Sequence, residues 1–243
     1  MRGIELRWDS VEDAAAFPFS IPAIRSLSTL AFTAPVTFLV GDNGTGKSTL
    51  IEALAIALGF NPEGGTRNFR FAMRPSESPL HEHLVVNRRV GSAPAGFFLR
   101  AESLFNVATQ VDALDLHRDF PNLYGDTSLH EQSHGESFLA IANHRFRRGG
   151  VYLLDEPEAA LSLRGQLALL RRMHDVVQAD AQFVVATHSP ILLALPGAEI
   201  LQLDDTGITP VTYDEADNVV LTRSFLEAPE QFLRHLLADD DPT

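Results

Sequence analysis

Four short apolar runs, rich in β-branched and aromatic residues, punctuate the chain: Val36–Val40, Val151–Asp155, Gln182–Thr187 and Glu199–Leu203. Each reads as a buried strand. Between them the apolar period changes to that of a helix. Ile51, Leu54, Ala55 and Leu58 share one face of a helix predicted over Ser48–Leu58, with Gly59 placed to end it. Leu163, Leu167, Leu170, Met173 and Val177 do the same over Ser162–Ala179. Strands alternating with helices predict an α/β fold, a mainly parallel sheet flanked by helices.

The pattern weakens over residues 60–130, where Pro, Gly, Arg and His accumulate ("NPEGGTRNFRFAMRPSESPLHEHL"). This stretch is expected to be a variable lobe or antiparallel side sheet inserted into one domain spanning 1–243. Within it, "GFFLRAESLF" reads as a strand turning into a helix. The end, "ADDDPT", reads as an acidic tail.

Composition narrows the class. A hydrophobic fraction of 45% with 21% charged residues is ordinary for a globular protein. The net charge of −13 repels bulk nucleic acid and anionic membrane, so any nucleic-acid contact needs a local basic patch. With no cysteine, disulfides and thiolate metal sites are excluded. The first residues lack the apolar core of a signal peptide, and no apolar run approaches the roughly 18 residues of a membrane helix. A cytoplasmic protein without membrane insertion is expected.

Between the first strand and the first helix lies Gly41-Asp42-Asn43-Gly44-Thr45-Gly46-Lys47-Ser48, a full G-x-x-x-x-G-K-[ST] match followed by Thr49. Average residue usage makes a chance match in a chain this long about a 1% event. Glycines let the backbone wrap anionic oxygens, so that several N–H groups and a helix N-terminus face the phosphates. Lys47 is expected at the β- and γ-phosphates and the Ser48 hydroxyl at Mg²⁺. In "VYLLDEPEAAL" (151–161) a buried strand delivers two carboxylates. Asp155 suits the Mg²⁺ shell, and Glu156 suits the orientation or deprotonation of an attacking water. "FVVATHSP" repeats the layout and sets His188 at a strand's C-terminal end, where parallel sheets bind ligands. There it can hydrogen-bond a γ-phosphate.

Taken with "SHGES" at 133–137, these motifs resemble, in order and approximate spacing, an ATP-binding-cassette ATPase over roughly residues 21–205. The "DEPEAAL" wording is similar to the RecF/SMC-like branch and to small stand-alone predicted ATPases. The resemblance implies a P-loop NTPase with ATP as substrate, Mg²⁺ as cofactor, and a head-to-tail homodimer closing over two nucleotides. Ser133, Gly135 and Glu136 would be the signature motif, reaching the partner's γ-phosphate. Ala159–Ser162 would be the dimer-facing loop, and Glu156, His188 and Lys47 the catalytic set. Two positions depart from the pattern: His134 stands for the first signature glycine, and Ser162 for a frequent aspartate. No glutamine loop is evident; Glu102, Asn106 and Gln110 are the substitutes in reach. Phe17, Phe19 and Arg25 are candidates for contact with adenine.

Other readings compete. His130-Glu131-Gln132-Ser133-His134 matches the H-E-x-x-H zinc pattern, but Gly135 suits a metal-bearing helix poorly and no third ligand is evident. His81 and His83 read as an exposed pair, and Arg145–Arg148 as a solvated helix end. A ring-forming motor would need a helical lid, for which Asn218–Ala238 is short. With about 100 residues between the phosphate loop and the paired acids, long coiled-coil arms do not fit. The leading expectation is ATP-driven dimerisation acting on a macromolecular partner, in nucleic-acid maintenance or defence. The alternatives are the nucleotide-binding subunit of a transporter and an ATP-gated binding module without turnover.

Overall fold

In the computed structural model, residues 1–67, 78–88, 95–114, 116, 124, 125 and 127–237 are described. The acidic end at 238–243 and much of the 60–130 stretch lie outside them. In chain order the strands are β1 (Gly3–Leu6), β2 (Thr29–Ala31), β3 (Val36–Val40), β4 (Leu84–Asn87), β5 (Gly96–Arg100), β6 (Val151–Asp155), β7 (Gln182–Ala186), β8 (Glu199–Asp204) and β9 (Gly207–Val211). The helices are α1 (Pro22–Arg25), α2 (Lys47–Ala57), α3 (Leu104–Ala113), α4 (His134–Arg145), α5 (Leu163–Val177), α6 (Pro190–Leu193), α7 (Asp217–Glu227) and α8 (Pro229–Leu236).

Six strands form one sheet in the order β5-β6-β7-β3-β8-β9, parallel except for β9 at the edge. A second, antiparallel sheet has the order β2-β1-β4. The four strands read from apolar runs are thus the four inner strands of the main sheet. "GFFLRAESLF" supplies β5 and α3, as expected. The side sheet also exists, but only β4 comes from the middle stretch; β1 and β2 come from the N-terminal segment, which the apolar pattern did not resolve.

The inner strands are apolar throughout because both faces of the sheet are covered. On one face Phe38, Phe97, Tyr152, Leu154, Phe183 and Val185 pack against α3, α4 and α5. On the other, Leu39, Phe98, Leu153, Val184 and Leu201 pack against α2 and the side sheet. Alternation within β3 divides its residues between the two cores. On α2 the face that the sequence indicates is the buried one: Ile51, Leu54, Ala55 and Leu58 are all within the second core. On α5 the face is turned. Leu169 and Met173 are buried, but Leu163 and Leu167 face solvent, because Gly165 and Gln166 take the inward positions of the first turns.

Phe146, Tyr152 and Phe183 form an aromatic cluster beneath α4, with Phe183 at 5.3 Å from Phe146 and 5.1 Å from Tyr152. Phe183→Ala should destabilise the chain by about 3–5 kcal/mol in urea unfolding, since the vacated volume lies between two layers that cannot both relax.

Candidate functional site

The register of the parallel strands brings their C-terminal ends level. Leu39 pairs with Ala186, Ala186 with Asp155, and Asp155 with Arg100. The segments that follow therefore emerge side by side: the phosphate loop from β3, Glu102 from β5, Glu156 from β6 and His188 from β7. This is the edge at which open α/β sheets bind ligands.

The phosphate loop closes tightly over β8. A Cβ at Gly41 would lie 2.2 Å from the Leu203 carbonyl oxygen, so only glycine fits there. Gly46 takes φ 97°, a left-handed turn that launches α2 at Lys47. Asp42, Asn43 and Gly44 form the exposed crown, braced by the Thr45 hydroxyl donating to the Asp42 carbonyl at 2.9 Å. Lys47 is buried, and its ammonium donates to the carbonyls of Gly41 at 2.7 Å and Asp42 at 2.8 Å. Burial pulls the lysine pKa below its ordinary value, against the pull of Glu156, Asp155, Asp42 and Glu158. Thr49 lies in the first turn of α2, half-buried.

Ser48 donates to the Asp155 carboxylate at 3.0 Å, joining segments 107 residues apart. Asp155 is buried, and desolvation pushes its carboxyl pKa up to about 6, opposed by Arg100 and the Ser48 hydrogen bond. Glu156 adopts a left-handed backbone (φ 47°, ψ 52°), uncommon for a residue with a side chain. That turn moves its carboxylate away from Asp155 and toward His188, with Nε2 and Oε1 3.8 Å apart. The His188 Nε2 is enclosed yet finds no hydrogen-bond partner among the described residues. A hydroxyl beside a buried carboxylate, a buried ammonium and an unpartnered imidazole nitrogen form a donor set that fits a phosphate group with a hard divalent cation.

A cavity of about 440 Å³ is lined by Ser48, Arg100, Glu102, His134, Asp155 and Glu156, among others. Of the three substitutes for a glutamine loop, Glu102 is the one in this cavity; Asn106 is tied instead to Glu63 at 3.2 Å. Two contributors went unread in the sequence. Arg100 ends β5 and pairs with Glu52 at 2.7 Å, with Glu102, and with Asp155 at 3.4 Å. Glu158 accepts from the Thr187 hydroxyl at 2.7 Å and from the His188 backbone N–H at 2.5 Å, fastening the loop after β6 to the loop after β7. Arg100 lies within "GFFLRAESLF" and Glu158 within "DEPEAAL", but the partners of each are distant in sequence. A charged residue closing an apolar strand was the available signal for Arg100.

Ser133 caps α4 and Glu136 completes a reciprocal capping box, with the Ser133 N–H donating to the glutamate at 2.9 Å. Ser133, Gly135 and Glu136 line a second, open hollow together with Ala160, Leu161 and Ser162. Ser162, where an aspartate is frequent, caps α5 by accepting from the Gly165 N–H at 3.2 Å. The H-E-x-x-H run is broken: His130 and Glu131 sit in a 3-10 turn, while His134 opens α4, so the two histidines share no helix face. His130 bonds Thr109 at 3.1 Å, and no cluster of three metal-ligating side chains exists among the described residues. Phe19 is buried against Trp8 and His83, which removes it as an adenine contact, whereas Phe17 is exposed. No described helix is long and apolar enough to cross a membrane.

Residues 20–91 match a family model described as an AAA domain. The chain is 28% identical over 176 residues to a cytochrome c biogenesis ATP-binding export protein of Rhodopseudomonas palustris, covering 64% of this chain and 79% of the relative. It is 29% identical over 213 residues to a cobalt import ATP-binding protein of Rhodobacter capsulatus, covering 79% and 73% respectively. It is 41% identical over 74 residues to the DNA repair protein RAD50 of Drosophila melanogaster, covering 27% of this chain and 6% of that protein.

The buried Asp155 carboxyl gives a pH signature. Its raised pKa favours the folded chain in acid, and that contribution is lost as pH rises through about 6. Asp155→Asn should therefore stabilise the nucleotide-free chain by roughly 1–3 kcal/mol at pH 8, each pKa unit being worth about 1.4 kcal/mol. The advantage should shrink toward zero by pH 4, measured by urea unfolding across that range. Sheet order, phosphate loop and sequence matches agree on an α/β fold, a mainly parallel sheet flanked by helices with a phosphate-binding loop after β3.

Proposed function

We propose that this chain binds and hydrolyses ATP, and that two copies close head-to-tail over two nucleotides to act on a partner. The observation that carries the reading is the Ser48–Asp155 contact at 3.0 Å, flanked by Glu156 and the unpartnered His188 Nε2. Lys47, with the loop's backbone, would hold the β- and γ-phosphates. Ser48 and Asp155 would hold the Mg²⁺ that accompanies ATP, which supplies neutralisation of phosphate charge. Glu156 orients a water for in-line attack on the γ-phosphorus and takes its proton as the bond to the bridging oxygen breaks. His188 donates to a γ-phosphate oxygen. Glu102 and Arg100 border the same cavity and orient groups within it.

Closure of two copies is supported by the position of the second hollow. Ser133, Gly135 and Glu136 line it instead of the Ser48 cavity, so within one chain they leave the phosphates uncovered on that side. The helix beside them turns Leu163 and Leu167 to solvent at 66% and 57% exposure, an apolar surface suited to cover by a second copy.

The relatives shift the balance between partners. Those matching over most of their length are named for export and import, whereas RAD50 matches over 74 residues. They support the transport alternative better than the nucleic-acid partner first expected. Glu102, one of the substitutes for a glutamine loop, lines the cavity beside Ser48 and Asp155, which is compatible with the transport alternative. Co-purification with a membrane protein is the outcome expected of a transport subunit. Stimulation of hydrolysis by single- or double-stranded DNA is the outcome expected of a nucleic-acid partner.

Glu156→Gln should lower steady-state ATP hydrolysis by at least about 100-fold while ATP binding persists, in keeping with loss of a general base. A native rate no higher than the variant's would reduce the chain to a non-catalytic binding module. With Leu226→Glu on the exposed face of α7 to remove any contact through that helix, the Glu156→Gln chain should run as a monomer without nucleotide and as a dimer with ATP, and adding Ser133→Arg should leave it monomeric in both. A Leu226→Glu, Glu156→Gln chain that stays monomeric under saturating ATP would sink the closure reading.

A further inference from the structure

The last two helices fold into a hairpin that the body hardly covers. In α7 only Val219 is buried, and in α8 no residue is. Phe225 and Phe232 meet edge to face at 5.8 Å and hold the two helices together. Around that contact, Val220, Leu221, Leu226, Leu233, Leu236 and Leu237 stand 40–74% exposed. On α8, Phe232, Leu233, Leu236 and the following Leu237 recur at helical spacing, forming one apolar stripe opposite Gln231 and Arg234, with Glu230 at its border. An isolated helix of eight residues is not stable in water on its own propensity, so the stripe calls for a cover.

Area and charge both point to the cover. Eight side chains exposing on the order of 70 Å² each present roughly 550 Å² of apolar surface, the upper end of what a monomer leaves bare. Paired across a two-fold axis, the same patch buries about 1,100 Å², enough for a specific interface. The chain as a whole carries −13, so most of its surface repels a second copy. The hairpin itself is nearly balanced: between 217 and 237 there are three carboxylates (Asp217, Glu227, Glu230) against two guanidiniums (Arg223, Arg234), with Asp239, Asp240 and Asp241 following in sequence. Two cations are also too few to favour an anionic membrane or nucleic acid.

We infer that the hairpin α7–α8 is a constitutive dimerisation element whose occupant is the same hairpin of a second copy, packed as a four-helix assembly. The contact requires no nucleotide and is separate from the closure over ATP. It keeps two chains at high mutual concentration, so closure becomes an event within one assembly.

The test is light scattering on the full chain without nucleotide, from 1 to 100 µM, as a concentration series of roughly this span suits interfaces of this size. A mass of twice 26.6 kDa is expected. Leu226→Glu and Leu236→Glu should each weaken the dimer at least 100-fold. Both positions are solvent-facing and outside the nucleotide site, so far-ultraviolet circular dichroism and ATP binding should be unchanged. Ser133→Arg should remain dimeric here, which separates this contact from the ATP-dependent one. A nucleotide-free monomer at 100 µM, or a dimer that persists in both glutamate variants, would overturn the proposal.

Discussion

Lateral register among four parallel strands is the constraint on which the site depends. Because Leu39, Ala186, Asp155 and Arg100 are successive partners across the sheet, the loops that follow them begin at one height. Side chains alternate between faces with period two, so a slip of one residue in β6 would set Leu154 beside Arg100 and turn Asp155 toward the opposite face. Both faces of the sheet are packed, and such a slip would also expose the wrong residues to each core. Packing of the interior therefore specifies the geometry of the edge.

At that edge the fold gathers charges that are costly to bury one at a time. Asp155 and Lys47 are both withdrawn from water, and burial opposes the charged form of each. Arg100 partly offsets this by spanning Glu52, Glu102 and Asp155. Desolvation outweighs the mutual attraction at both groups, so the energy of the arrangement is sensitive to any further charge that enters. A triphosphate with its cation is such a charge.

Much of this was legible in the sequence, for identifiable reasons. The inner strands announce themselves because a parallel strand covered on both faces must be continuously apolar. The phosphate loop is legible because its chemistry is contiguous. β1 and β2 were not legible: four and three residues long and held by antiparallel pairing, they have no continuous apolar run. The inward face of α5 was misread because a glycine and a glutamine hold its buried positions. Gly165 is pressed against Leu161, and Gln166 donates to the Leu161 carbonyl at 3.2 Å while accepting from Ser189 at 2.6 Å. Hydrophobicity cannot report a position buried for its hydrogen bonds. Arg100 and Glu158 went unread for a related reason: each acts on residues brought near by the sheet, not by the chain.

The two hydrogen bonds that Glu158 accepts give the loops at this edge a shared mechanics. One carboxylate holds both the Thr187 hydroxyl and the His188 backbone, while Gln166 in the first turn of α5 accepts from the Ser189 hydroxyl in the loop after β7. Two segments bolted at two points behave as a single lever. The His188 imidazole and the segment Ala159–Ser162 that borders the outer hollow then ride on one frame, so a displacement of either loop carries the other with it.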